Sequence, residues 1–179
     1  EGFLEHVEAE ARGYYEQKKQ QPVAGMSQTI AYLAAPAPTV DGQGTDACWA
    51  AAPVGVMNDW KSGKAPQVAT TFRLAHDATH LYVLARCDEP SVARLRAERT
   101  QRDDDVFCDD CVELHVTGVA DQSRTYQIIV NSKGVVEDLM YQRNEGGAMV
   151  GSKAWNCTGL QAAAAVDATG YTVELAVPL

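Results

Sequence analysis

The chain of 179 residues is short of positive charge and of long apolar runs. Lys and Arg number 15 against 24 Asp and Glu, a formal net charge of −9. Nucleic-acid binding needs a basic face, so no nucleic-acid partner is expected. No stretch approaches the roughly 20 apolar residues of a membrane span, so no membrane partner is expected either. A glycine-rich phosphate loop, a heptad pattern and an internal repeat are all missing. These absences argue against nucleotide chemistry, coiled coils and solenoids. There is no Gly-x-Ser-x-Gly elbow, and His6, His76, His80 and His115 fall in a helical stretch, a turn region and strands. Nor do insertions build a cleft in which two carboxylates would cleave a glycoside. We therefore expect a segment that is not an enzyme.

What is present is a series of short apolar runs punctuated by turns. Candidate strands are 68–74, 80–87, 111–117, 124–130, 134–140, 161–166 and 171–177. Leu81, Val83, Ala85 and Cys87 alternate onto one face, as do Val112, Leu114 and Val116, and Tyr171, Val173, Leu175 and Val177. Period-two alternation means one buried and one wetter face. Strands 80–87 and 111–117 are expected to be antiparallel members of a sheet, with Leu81, Val83, Val112 and Leu114 in the core. Asp77-Ala-Thr-His80, Asn131-Ser-Lys-Gly134 and Asp167-Ala-Thr-Gly170 stand where tight turns belong. Before these strands, Phe3, Val7, Ala11 and Tyr14 lie at helical spacing, so residues 3–19 read as an amphipathic helix. Residues 27–33 look extended, and Ala34-Ala-Pro-Ala-Pro38 is a stiff connector.

The domain division is residues 1–35, a helix and connector that could end an upstream domain, then residues 36–179, a sandwich. The sequence opens at Glu1 without an initiator Met and closes on apolar Val177-Pro178-Leu179. A segment of a longer protein, cut short at its C-terminal side, is expected. Five cysteines, Cys48, Cys87, Cys108, Cys111 and Cys157, are an odd number. Cys108-x-x-Cys111 lacks the two further soft ligands of a zinc site and opens a strand rather than a helix. A structural disulfide of an exported domain, pairing open, is the expectation.

Five segments occur in a fixed order. They are Pro38-Thr-Val-Asp-Gly42 with Trp49, His80-Leu-Tyr-Val-Leu-Ala-Arg-Cys-Asp88, and Asp109-Asp-Cys-Val-Glu113-Leu-His-Val116. Tyr126-Gln-Ile-Ile-Val-Asn131 and Gly170-Tyr-Thr-Val-Glu174-Leu-Ala-Val-Pro-Leu179 complete the set. The ordered set resembles the family 9 carbohydrate-binding modules and their DOMON-like relatives, over roughly residues 36–179. The resemblance implies an all-β, antiparallel β-sandwich, here preceded by one N-terminal α-helix. It further implies a secreted or periplasmic, cell-surface location, a carbohydrate partner and frequent stabilisation by calcium. The usual setting is a module appended to a glycoside hydrolase, so a neighbouring catalytic domain is the second expected partner. The alternative function is a structural or interface sandwich that packs on such a neighbour without binding sugar. Haem binding, found among the DOMON-like relatives, needs a positioned Met or His pair, and nothing positions Met57, Met140 or Met149.

Sugar binding needs an apolar surface for the C–H face of a pyranose, with charged or amide groups around it for the hydroxyls. Trp155 and Asn156, in the loop Lys153-Ala-Trp-Asn-Cys157, fit this chemistry best. Arg102 and then Glu89 are the further polar candidates. The resembling family uses two facing tryptophans and keeps the position of Trp49 for packing, which leaves Trp60 as the opposite wall. For calcium, which takes six to eight oxygens, the candidates are Asp105, Asp109 and Asp110, with Asp41, Asp46 and Asp88 beside the first turn and strand. The spacing and central glycine of an EF-hand are absent. Glu113 and Glu174 interrupt apolar strands, and one of them is expected to pair with an arginine such as Arg86, because an unpartnered buried carboxylate is costly.

Overall fold

The alternating apolar segments become strands, and the described residues hold ten strands in all. The computed structural model describes residues 32–33, 36–59, 61–117 and 123–179. The helix expected over residues 3–19 lies outside these, as does Trp60. The strands are β1 (Tyr32–Leu33), β2 (Gly55–Val56), β3 (Thr70–His76), β4 (His80–Asp88) and β5 (Cys111–Thr117). They continue as β6 (Arg124–Asn131), β7 (Val136–Arg143), β8 (Met149–Ser152), β9 (Gln161–Asp167) and β10 (Gly170–Pro178). One short helix, α1 (Ala47–Ala51), precedes β2.

The seven strands expected from alternation are all present, with shifted ends. β3 is shifted two residues along, starting at Thr70 and ending at His76, and Thr70 O accepts from Met57 N–H at 2.9 Å. β7 starts late because Gly134 and Val135 still belong to the turn. Asn131 Oδ1 accepts from both Lys133 N and Val135 N at 3.0 Å. β1, β2 and β8 are two to four residues long, too short for alternation to register.

The strands form two sheets. The first runs β1-β3-β4-β10-β9 with β2 paired to β3, and the second runs β5-β6-β7-β8. All pairings are antiparallel except that of β1 with β3. β4 and β5, expected to be antiparallel members of a sheet, fall in different sheets and meet across the core instead. Their long intervening segment, residues 89–110, carries the chain from one sheet to the other. The core residues are those expected: Val83 and Val112 are buried, and Leu81 and Leu114 pack against them with Ile128, Val130, Val173 and Leu175.

β10 lies between β4 and β9 and is buried on both faces. Its inner residues enter the core, while Glu174 points the other way, beneath a cap formed by residues 39–52. Glu174 is 1% exposed. Its Oε1 accepts from Trp49 Nε1 at 2.9 Å, and its Oε2 from Gly42 N at 2.7 Å and Asp41 N at 3.2 Å. Burial pushes the Glu174 carboxyl pKa up, and these donors oppose that shift. Trp49 thereby covers Tyr82, Leu84 and Ala176 as a second, outer layer. Gly42 has φ +82°, and a Cβ there would stand 2.7 Å from the Ala164 carbonyl carbon. The opening Val-Asp-Gly…Trp motif and the closing Val-Glu-Leu motif are thus two halves of one contact.

The expected Arg86 partnership is corrected by this arrangement. Arg86 instead bonds Asp167 across the β9–β10 turn, Nη1 to Oδ2 at 2.7 Å and Nη2 to Oδ1 at 3.0 Å. Its guanidinium holds Asp167 well below the usual carboxylate range. Glu113 is served by Gln127 Nε2 at 2.8 Å and lies 3.2 Å from His115 Nε2. The expected disulfide is also absent, since all five cysteines are free thiols. They are spread over separate layers: Cys48 lies under the outer cap, Cys87 lies in the inter-sheet core, and Cys111 packs on the outer side of the second sheet.

Trp49→Phe keeps the apolar ring and removes the donor to Glu174. A buried carboxylate oxygen that loses its partner costs about 1–3 kcal/mol. We predict a loss of that size in urea unfolding, with the native β-sheet spectrum unchanged.

Candidate functional site

β7 supplies the two carboxylates from which the site is built. Glu137 and Asp138 are adjacent, so they point to opposite faces of the second sheet, and both are buried, at 1% and 0% exposure. Asp138 faces inward. Its Oδ1 accepts from Arg102 Nη2 at 2.6 Å and its Oδ2 from the Cys157 amide at 2.5 Å. Burial pushes Asp138 up, against the lowering by Cys157 N–H and Arg102. Glu137 faces outward, among Val106, Ile129 and Leu139. It takes the Val106 amide at 2.7 Å and Lys153 Nζ at 2.7 Å. The bond to Glu137, followed by that to Asp105, raises the Lys153 pKa.

Two loops come together over this pair. One is 102–107, ending in a 3-10 turn, Val106–Cys108. The other is 153–157, between β8 and β9. Asp103, between Arg102 and the turn, takes the left-handed conformation at φ 64°, which Asp tolerates better than most side chains. Its N–H donates to Val136 O at 3.0 Å, so the backbone turns at the point where Arg102 must reach inward. Arg102 Nε also donates to Asn156 Oδ1 at 3.2 Å. Trp155, half-buried, leans on Tyr126 with ring centroids 4.8 Å apart at an angle of 42°. Arg102, Asn156 and Trp155, chosen from sequence chemistry alone, are therefore brought together. Tyr126 is the aromatic neighbour that sequence reasoning missed. It sits in an alternating strand, where an aromatic reads as core.

The other candidates fall elsewhere. Trp60 lies outside the described residues. Glu89 lines a separate cleft of about 360 Å³ with Asp88, Asp110 and Glu113. Cys111, also on that cleft, pairs with Asn131 at one end of β6, whereas Tyr126 lies towards the other end. The Glu89 side chain accepts from Ser91 N at 2.6 Å, so it is not brought to Trp155.

Comparison with known proteins follows from this geometry. The family described as carbohydrate family 9 binding domain-like matches residues 40–179. The chain belongs to that family. Among solved structures, a protein from Bacteroides uniformis aligns at TM-score 0.62 and 16% identity, over 87% of this chain and 74% of its own. A family 9 carbohydrate-binding module from Caldicellulosiruptor kristjanssonii in complex with glucose aligns at TM-score 0.53 and 21% identity, over 83% and 68%. One from the same organism in complex with cellotriose aligns at TM-score 0.54 and 22% identity, over 83% and 67%. At these identities the structures establish the shared sandwich fold. A search of curated proteins finds no match. Among the described residues no helix of the family 9 domain is long and apolar enough to cross a membrane.

The six aspartates singled out for calcium do not converge in this family 9 domain. Asp109 is buried and engaged by N–H donors: Glu98 N at 3.1 Å, Arg99 N at 2.9 Å and Asn131 Nδ2 at 2.9 Å. Burial raises its pKa, but these donors outweigh burial and the net shift is downward. Asp105 pairs with Lys153 at 2.9 Å, and Asp110 accepts from Arg96 N at 2.6 Å. Asp41 caps Gln43 N at 2.8 Å, Asp46 accepts from Thr39 N at 3.2 Å, and Asp88 lies 3.5 Å from Arg86 Nε. Among the described residues no three acidic, His or Cys side chains form a metal-holding group, whereas calcium asks for six to eight oxygens. The charge of the six aspartates is met by cations and amides of the chain itself. Addition of a chelator is therefore expected to leave the melting temperature unchanged. A fall that added calcium reverses would reveal a cation held by this domain.

Proposed function

We propose that this domain is a non-catalytic carbohydrate-binding module that takes a glucopyranose ring on Trp155. The observation that carries the reading is the Arg102–Asn156 contact of 3.2 Å beside the half-buried Trp155. Trp155 offers the apolar face. Among the described residues, Arg102 Nη1 and Asn156 Nδ2 make no hydrogen bond, which leaves donors beside that face for vicinal hydroxyls. Tyr126 backs the indole and limits its rotation. The glucose and cellotriose bound in the two Caldicellulosiruptor kristjanssonii structures supply the sugar class. Trp60 is the proposed second wall. We further propose that the domain is exported and tethered to a glycoside hydrolase, whose local substrate concentration it raises.

A second reading, an interface sandwich without sugar binding, draws on a different observation. Val54, Val56, Met57 and Val68 are exposed apolar residues around the short edge strand β2, a composition that suits packing against a neighbouring domain.

Calorimetric titration with cellotriose separates the two. Losing a stacked aromatic removes its buried area and about 0.5–1.5 kcal/mol beyond it. Trp155→Ala is expected to weaken cellotriose binding by at least about tenfold, with the melting temperature close to that of the parent. A parent that binds neither cellotriose nor any glycan on an array leaves the interface reading in possession. Unfolding of Trp155→Ala would make the residue core.

A further inference from the structure

We infer that Glu137 and Asp138 are positioning residues for the sugar site, two buried carboxylates on one strand that clamp both of its loops; the inference rests on the sugar-binding reading. Each carboxylate holds a group from each loop. Asp138 holds the Arg102 guanidinium at 2.6 Å and the Cys157 amide at 2.5 Å. Glu137 holds the Val106 amide at 2.7 Å and the Lys153 ammonium at 2.7 Å. Loop 153–157 is thus fastened at its first residue through one carboxylate and at its last through the other, with Trp155 and Asn156 between. Loop 102–107 is fastened in the reverse sense, at Arg102 through Asp138 and at Val106 through Glu137.

The arrangement follows from strand geometry. Adjacent residues of β7 project to opposite faces, so one dipeptide reaches the inner and the outer side of the sheet together. The loops wrap the same stretch of the sheet and meet the pair from both sides. Neither carboxylate is exposed to a ligand, at 1% and 0% exposure. Any effect they have on sugar binding acts through Arg102, Asn156 and Trp155. A loop fixed at both ends before binding does not lose that freedom when the sugar arrives, and preorganisation of this kind appears as affinity. Asp138 also sets the plane of Arg102. With Nη2 committed to Asp138 and Nε to Asn156, the guanidinium has one orientation, and Asn156 Oδ1 is turned inward so that its amide nitrogen faces away.

The test is a double-mutant cycle on the full chain, with cellotriose as the probe. Asp138→Asn keeps the shape and removes the charge. It is expected to weaken cellotriose about tenfold, the scale of one charge-assisted hydrogen bond. The remaining oxygen of Asp138→Asn can still accept from the Cys157 N–H, so the loss falls on the Arg102 contact, and the combination with Arg102→Ala is expected to bind no more weakly than Arg102→Ala alone. A purely structural role would instead add its loss to that of Arg102→Ala, and that outcome, or parent-like binding by Asp138→Asn, overturns the inference. Should Asp138→Asn not fold, Lys153→Ala releases the other fastening from an exposed position. It is expected to speed amide exchange of Trp155 and Asn156 relative to β10, with a weakening of cellotriose of several-fold. Unchanged exchange overturns the clamp. If the parent does not bind cellotriose, the sugar reading fails for that ligand, and exchange in the two variants still decides the clamp: faster supports it, unchanged rejects it.

Discussion

A carboxylate removed from water must be met by donors, and in this domain that requirement fixes the loops. Glu174, Glu137, Asp138 and Asp109 are each buried. The donors that meet them are indole, guanidinium, ammonium, side-chain amide and backbone N–H groups, most of them from the loops and short turns between strands. Leaving such a group without a partner costs several kcal/mol, so each carboxylate selects one loop conformation. Glu174 does this on the outer side of the first sheet, where it seats Gly42 and Trp49. Asp109 does it for residues 98–99, and β7 does it for the two loops that flank Trp155. The apolar core stacks the sheets, and the carboxylates tell the connections where to lie.

This division of labour separates Trp49 and Trp155 by role. Trp49 is 3% exposed and spends its indole N–H on Glu174, so its surface is committed to the fold. Trp155 is half-buried on Tyr126 and flanked by Asn156 and Arg102. One face of such a ring is supported by protein, and the polar groups beside it are anchored from within. That combination suits a wet, amphipathic sugar. Trp60 lies outside the described residues, and its part in binding is a proposal.

Much of the fold was legible because the core strands obey a simple period. Leu81, Val83, Val112 and Val173 alternate, and they meet in the core. Asp77, Asn131 and Asp167 mark tight turns through side chains that hydrogen-bond their own backbone. The sheet to which β5 belongs was not legible. Alternation records which face is buried, and a segment such as 89–110 can close a hairpin or cross between sheets. The carboxylate partners were not legible either. Glu174 and Arg86 are close in register, since Thr172 pairs with Arg86, yet Asp167 lies closer to the guanidinium, and Trp49 reaches Glu174 from far along the chain. Nor were the partners of the acidic run 103–110 legible, because sequence shows charges but not the amides they face. Arg102 and Asn156, singled out by chemistry, lie in contact at 3.2 Å. Asp138, which holds them, was hidden inside an apolar strand.

Sugar is proposed to dock on Trp155 and not on the tryptophan built into the sandwich. Nitrogen–proton correlation spectra of the three indole N–H groups, followed during titration with glucose, decide between the two. The Trp155 indole signal is expected to move progressively to saturation, while the Trp49 signal, held by Glu174, stays in place. A Trp155 signal that stays still at saturating glucose, or a shift centred on Trp49, overturns the docking on Trp155.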